Sequence, residues 1–407
     1  MSLYDKASLV MIPSGYKASS ATLYSVVPNT SVGDFDVTVD ADATRVNKDG
    51  LIESVAANQA RLDYPLTNGV VGDCPHLLLE PSRTNFLTYS TLDFNGGATP
   101  TGWTVGFGTG TFSHTETTYK GQGAVKHTQS TTGRSYLSET ISLSASTTYT
   151  LRVEFDRNNS SGIDDTDYIV ATANMDNSFA KQWSDVDDDG ILEVQFTTGT
   201  DATGELRLGF GVSGNEDGGK TIVFSMPQIE AGSYSTSYIP TSGFAVTRTA
   251  DTCNGAGDSS TFNDSEGVLF AEIAALADDG TSRRITITDD SGANYNNIVS
   301  LELDESTNTL KGFVINNSGN ITSVSTTNLN QDENNKIALK YNSASTNLYV
   351  NGSEVDSATS TNLPTGLVKL DFDSGRSDEI QGFYGKCKQI MVFNEALSDS
   401  ELQQLTS

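Results

Sequence analysis

The chain is poor in several residues that carry familiar chemistry. Its 407 residues include three cysteines, three histidines, two tryptophans and nine prolines. Cys74, Cys253 and Cys387 are odd in number and far apart. That excludes a self-contained disulfide framework and a short-spaced zinc site, and points to synthesis in a reducing compartment. His76, His114 and His127 lack metal-ligand spacing, and no Gly-x-Ser-x-Gly elbow or glycine-rich phosphate cradle occurs. Basic residues number 24 against 52 acidic ones, a formal net charge of −28. Nucleic-acid binding needs the opposite footprint, and an anionic membrane surface would repel such a chain. No apolar run approaches the roughly 18 residues of a spanning helix, and no basic, apolar leader opens the sequence, so neither membrane insertion nor secretion is expected.

Turn formers are abundant instead. Thirty-seven glycines accompany many Ser, Thr, Asn and Asp residues, and the 36% of hydrophobic residues recur in strand-length runs. This excludes a disordered chain and indicates an all-β one. The pivot is 43–85. Asp49-Gly50, between alternating segments, signals a hairpin, because glycine takes a positive φ at little cost. Leu77, Leu78 and Leu79 form an apolar run too short for a helix and closed by Pro81, hence a buried strand. Residues 34–40 alternate acid and apolar side chains as a half-buried strand. The region 1–82 is too small for a generous core of its own. It is expected to pack on a neighbouring copy, a later domain or a larger particle.

Residues 83–250 read as one sandwich, with alternating strands at 135–143, 148–155, 191–196, 205–210 and 221–226, and with 238–243 as its exit linker. Residues 251–407 read as a second. There Asn351-Gly352 marks a type I′ hairpin, and Ser398-Asp399-Ser400-Glu401 is a capping box opening a short helix through Leu402 and Leu405. The fold class is all-β: a small N-terminal β anchor region, two antiparallel β-sandwich (jelly-roll) domains, and a short C-terminal helix.

The strings ATRVNKDGLIESVAANQARLDYP (43–65), CPHLLLEPSRTN (74–85) and PQIEAGSYSTSYIPTSG (227–243) resemble segments of tailed-bacteriophage virion proteins of the fibre, spike and head-decoration type. The order of the middle block, with Trp103 early and 227–230 late, resembles carbohydrate-binding-module jelly rolls. NLYVNGSEVDS (347–357) and GKCKQIMVFNEALSDSELQQL (385–405) resemble concanavalin A-like and laminin-G-like lectin domains. The resemblance implies a virion protein assembled in the host cytoplasm, with an N-terminal region attached to other virion proteins and a trimeric assembly. It implies an adhesin, not an enzyme, that holds host-surface glycan by multivalent contacts. A decoration protein with no sugar ligand is the alternative, and a glycan depolymerase a third.

Candidate sites follow from side-chain chemistry. Asp185, Asp187 and Asp189 alternate before Gly190 like the opening of a Ca²⁺ loop, although Phe196 stands where a bidentate Glu belongs; an acidic turn is the plain alternative. Glu302 and Asp304, two apart on a strand, share a face as a carboxylate pair would, but alternation favours a solvent-facing strand. For stacking on the apolar face of a sugar, Trp183, Trp103 and Tyr168 are the candidates. Trp183, beside the acidic loop, is the better placed for exposure, whereas Trp103 at a strand start suits a core.

Overall fold

A computed structural model describes residues 2–13, 18–19, 21–67, 69–106, 108, 111–292, 296–359, 362–376 and 381–407. The leucine run forms the strand His76–Leu79, buried along its length. It lies between Gly385–Phe393 and Leu62–Asp63, with Leu77 opposite both Cys387 and Leu62. Leu9–Met11 pairs antiparallel with the same long strand, Gly385–Phe393. Strands from the first 82 residues therefore complete an eight-stranded sheet whose remaining members are Gly267–Ala275, Asn335–Tyr341, Thr346–Val350 and Ser353–Ala358. A five-stranded sheet from Ile321–Thr326 to Lys369–Asp371 closes the sandwich.

The hydrophobic core follows the strands. Leu9, Phe35, Val37 and Leu77 belong to one buried cluster with Ile285, Leu301, Leu339 and Ile390. Phe35–Thr38 alternates buried and exposed residues, and pairs with Thr252–Asn254. The short N-terminal region thus buries its apolar faces against the C-terminal sandwich of its own chain, as a segment too small for a separate core must.

Between these partners in sequence comes the jelly roll. One of its sheets runs from Thr104–Gly106 to Ala180–Gln182, the other from Phe112–Tyr119 to Ile191–Thr197, and they enclose a separate core containing Leu137, Tyr149, Phe155, Leu208 and Phe224. The long strand Lys220–Ala231 contains Met226 at φ 49° followed by Pro227. Its pairing with Thr148–Phe155 shifts register there, from Arg152 opposite Gln228 to Glu154 opposite Ser225. A bulge suits a proline, which cannot donate to the ladder, and bulges re-aim neighbouring side chains.

Residues 238–241 are a largely buried seam, with Ser242 and Gly243 at the surface, which corrects the expectation of an exit linker over 238–243. Ile239 N–H donates to Gln228 Oε1 at 2.6 Å, Ile239 O accepts from Asn85 Nδ2 at 2.9 Å, and Thr241 N–H donates to Ser90 Oγ at 2.9 Å. With its backbone groups satisfied by side chains, this stretch can be buried without a sheet partner.

Local signals are realised where the backbone alone decides. Asn351 and Gly352 have φ 48° and 85°, the two positive values of a type I′ turn. The 44–54 hairpin forms with a longer loop, in which Asn47 Oδ1 accepts from the N–H groups of Asp49 and Leu51. At the C-terminus the helix Asp399–Leu405 has a reciprocal cap: Ser398 N–H donates to Glu401 Oε2 at 2.9 Å, and Ser398 Oγ accepts from Glu401 N–H. Ser398→Ala is expected to cost about 1 kcal/mol in a denaturant titration, the usual worth of an N-cap.

Candidate functional site

Two guanidiniums are among the fully buried large side chains of the described residues. Arg61 and Arg248 have no exposed surface, and Glu80 and Asp251 are buried beside them. Arg61 Nη1 reaches Glu80 Oε2 at 2.5 Å while its Nη2 binds Asp251, and Arg248 Nη1 reaches the same Glu80 oxygen at 2.7 Å. Ser237 closes the cluster, donating its N–H to Glu80 Oε1 at 2.8 Å and its hydroxyl to Oε2 at 2.6 Å. Burial works against the Glu80 carboxylate, but Arg248 and Arg61 outweigh it and hold its pKa at about 2. Two cations and two anions balance here, the arrangement that lets buried charges persist. The network fastens 43–85 to 237–251.

The pivot also grips the jelly roll. Ile52 N–H donates to Lys120 O at 2.8 Å, and Gln122 Nε2 donates to Ile52 O at 2.7 Å. Lys120 and Gly121, at φ 48° and 82°, form the tight turn that offers this edge. Ile52, Met226 and Tyr238 pack together beneath it.

Where the pivot, the jelly roll and the C-terminal sandwich meet, a cleft of about 270 Å³ opens. Its floor is ionic. Glu154, nearly inaccessible, accepts from Lys120 Nζ at 2.8 Å and from Arg152 Nη2 at 2.9 Å. Burial opposes its charge, yet Arg152 and Lys120 keep its pKa below the ordinary carboxylate value. The bulge at Met226–Pro227 lies opposite this Arg152–Glu154 pair. On another wall His76 Nε2 lies 3.2 Å from Asp63 Oδ2, but no hydrogen bond among the described residues satisfies that buried nitrogen. Tyr64, Leu66 and Ile191 add ring and aliphatic surface, and Lys386 comes from the C-terminal sandwich. The lining holds four full cations, Arg45, Lys120, Arg152 and Lys386, and four carboxylates, Asp63, Glu80, Glu154 and Asp189. In a chain of charge −28 this is a locally neutral site rich in fixed donors and acceptors.

The residues singled out from sequence lie elsewhere, apart from Asp189. Trp103 is 3% exposed, with Nε1 donating to Tyr89 O at 2.7 Å, so its ring offers no platform. Trp183 is 9% exposed and packs edge-on against Phe155. The expected exposure is corrected: a short 3-10 turn, Trp183–Asp185, folds the ring inward while the acids beside it stay at the surface. Its remaining edge, under the Arg157 guanidinium, borders a depression also of about 270 Å³. Tyr168 is half-buried against Tyr136, Ala171 and Val212.

The three aspartates do not converge. Asp185 accepts from Gln182 N–H at 2.8 Å, Asp187 from Ile191 N–H at 2.7 Å and Asp189 from Gly69 N–H at 3.1 Å. Each ties down a different piece of backbone, and among the described residues no group of three ligating side chains forms a metal site. Glu302 and Asp304 are buried at 3% and 4% exposure, which corrects the solvent-facing expectation. Arg284 pairs with Glu302 at 3.1 Å, and Lys311 with Asp304; the cross-strand cations make burial tolerable. Neither carboxylate is free to act as one of a hydrolytic pair. No described helix is long and apolar enough to cross a membrane.

The cleft could not be read from the sequence because its residues come from seven separated stretches, from the pivot to Lys386.

No curated protein matches the chain. Among solved structures it is similar over part of its length to the Ruminococcus gnavus IT-sialidase CBM40, at 15% identity, covering 38% of this chain and 94% of that one, with a TM-score of 0.32. Domain 4 of AbnA, a GH43 extracellular arabinanase from Geobacillus stearothermophilus, in complex with arabinotriose, gives 12% identity, coverages of 39% and 73%, and a TM-score of 0.32. A SAP-like pentraxin from Limulus polyphemus gives 13%, 35% and 70%, and 0.30. Residues 273–403, within the C-terminal sandwich, match the family described as the Concanavalin A-like lectin/glucanases superfamily.

Proposed function

We propose that the chain is a structural protein of a bacteriophage particle, a fibre- or spike-like adhesin that holds host-surface glycan through many weak contacts. One observation carries this reading. The segments 43–85 and 227–243, each resembling phage virion proteins, meet at one buried charge network. They are therefore parts of one structural unit, and that unit joins a jelly roll to a sandwich of lectin-like fold. A stiff joint between two β-sandwiches suits a part that projects from a surface. Affinity then comes from copy number, since a second contact within one particle is intramolecular and raises avidity by about 10²–10⁴. In this reading the protein assembles in the host cytoplasm into the virion. It forms a trimer, cyclic symmetry being natural for such a part, and touches neighbouring virion proteins through its N-terminal region. Val70 in that region and Phe244 beyond it, 69% and 68% exposed, are apolar side chains that neighbouring proteins would cover. They also favour the second reading, a decoration protein without a sugar ligand.

Antibody against residues 251–407 is expected to label particles of the encoding phage, and unlabelled particles would overturn the virion assignment. Beads coated with many copies of the chain should be retained on host cells under washing that removes the single chain. Beads that wash off would leave the decoration reading in place of the adhesin.

A further inference from the structure

We infer that the three-way cleft is the saccharide site, and that it takes one or two rings of a neutral, hydroxyl-rich sugar. The inference rests on the glycan-binding reading and gives it a location and a ligand class.

Three features converge. The volume of about 270 Å³ lies just under the range of roughly 300–1,000 Å³ for small-molecule pockets, a size for a short saccharide and not for a protein loop or an extended polymer. The polar groups are held rigidly in pairs, Arg152 and Lys120 on Glu154 and His76 beside Asp63, so donors and acceptors already stand side by side. A hydroxyl both donates and accepts, and can bridge such a pair without disturbing its charge balance. Finally, the lining balances cations against carboxylates. A charged sugar would break that balance and leave one partner uncompensated, whereas a neutral polyol leaves it intact. The half-buried Tyr64 and the aliphatic Leu66 supply the apolar surface on which the C–H face of a ring rests.

The test uses the full chain on an array of neutral hexose and N-acetylhexosamine oligosaccharides, with uronate-containing, sialylated and amino-sugar oligosaccharides beside them. The best neutral disaccharide is then titrated calorimetrically against variants. Leu66→Trp, at a partly exposed position, should fill the cleft and weaken binding at least about tenfold, and Tyr64→Ala should weaken it about five- to tenfold, the worth of one aromatic contact. Melting curves matching the unsubstituted chain show that both variants fold. Arg157→Ala, at the Trp183 depression, should leave affinity unchanged. If the array retains sugars but the cleft variants bind as before, or only Arg157→Ala loses binding, the cleft is not the site although the glycan reading stands. Retention of charged sugars alone overturns the ligand class. No retention on any sugar overturns the inference and the glycan reading together.

Discussion

Glu80→Ala is expected to destabilise the protein by about 3–5 kcal/mol, the cost of removing one partner from a buried ion pair. The substitution leaves Arg61 and Arg248, both without exposed surface, facing a single carboxylate on Asp251. It also strips the Ser237 N–H and hydroxyl of their acceptor. A fall of this size lowers the melting temperature by on the order of 10 °C. Both sandwiches should feel it, because the network fastens the pivot that each of them uses. Glu80→Gln keeps the shape but removes the charge, and should fall between. Lys48→Ala, at an exposed pair with side chains 72% and 62% accessible, is the control and should change stability by less than about 1 kcal/mol. The pH dependence has a definite sign. Glu80 has a folded pKa of about 2 and an ordinary value of 4.5, so its contribution is complete above pH 4.5 and is lost as the pH falls toward 2. A Glu80→Ala chain that melts within a degree or two of the parent would mean that the network is incidental.

What could be read from the sequence was what the backbone decides locally. The Asn351-Gly352 turn, the Ser398 cap, the alternation at Phe35–Thr38 and the buried leucines of His76–Leu79 all follow from side chains within a few positions of one another. Sheet membership was not legible. Leu9 lies opposite Val392, and Leu77 opposite Cys387, pairings between distant parts of the chain that no local pattern encodes. Burial of charge was hidden for the same reason. Arg61 reads as a surface residue until Glu80 and Asp251 are brought to it, and Glu302 until Arg284 and Lys311 lie on the neighbouring strands. Trp183 was misleading in the other direction: acidic neighbours suggested water, but a 3-10 turn puts the ring and the carboxylates on opposite sides. The cleft combines both difficulties, with a polar lining assembled from stretches that no spacing rule connects.

Mild acid is expected to loosen the jelly roll through two stacked histidines. His114 and His127 face each other on adjacent strands with ring centroids 4.6 Å apart, and Phe112 and Phe210 flank them. The tautomer of His127 follows from its neighbours. Gln129 Nε2 donates to Glu216 O at 2.8 Å, which leaves Gln129 Oε1 to accept from Ser135 Oγ at 2.7 Å. Ser135 has then used its proton, so the 2.8 Å contact with His127 Nε2 requires the imidazole to donate. The bare Nδ1 has no partner among the described residues, and a proton added there would place a charge inside an aromatic stack. Burial, reinforced by His114, lowers the His127 pKa to about 3, and burial lowers that of His114 to about 4. Unfolded, both titrate near 6.5, so the unfolded chain takes up protons first. Stability is therefore intact above pH 6.5, falls as the pH drops toward 4, and levels off with respect to this pair below about 3. The loss is on the order of 3 kcal/mol once the partial exposure of His114 is discounted. Asp371, in the C-terminal sandwich, works in the other direction. Its pKa, raised by burial to about 6, makes that residue's contribution grow as the pH falls from 6 toward 4. The difference between the parent and His127→Phe isolates the histidine term. Phenylalanine keeps the stack, and Ser135 keeps Gln129 as its acceptor. The substituted chain should lose much of the decline between pH 6.5 and 4.5, a window above the range where Glu80 titrates. Equal slopes for the two chains in denaturant titrations across that window would show that the imidazoles reach protons without opening the jelly roll.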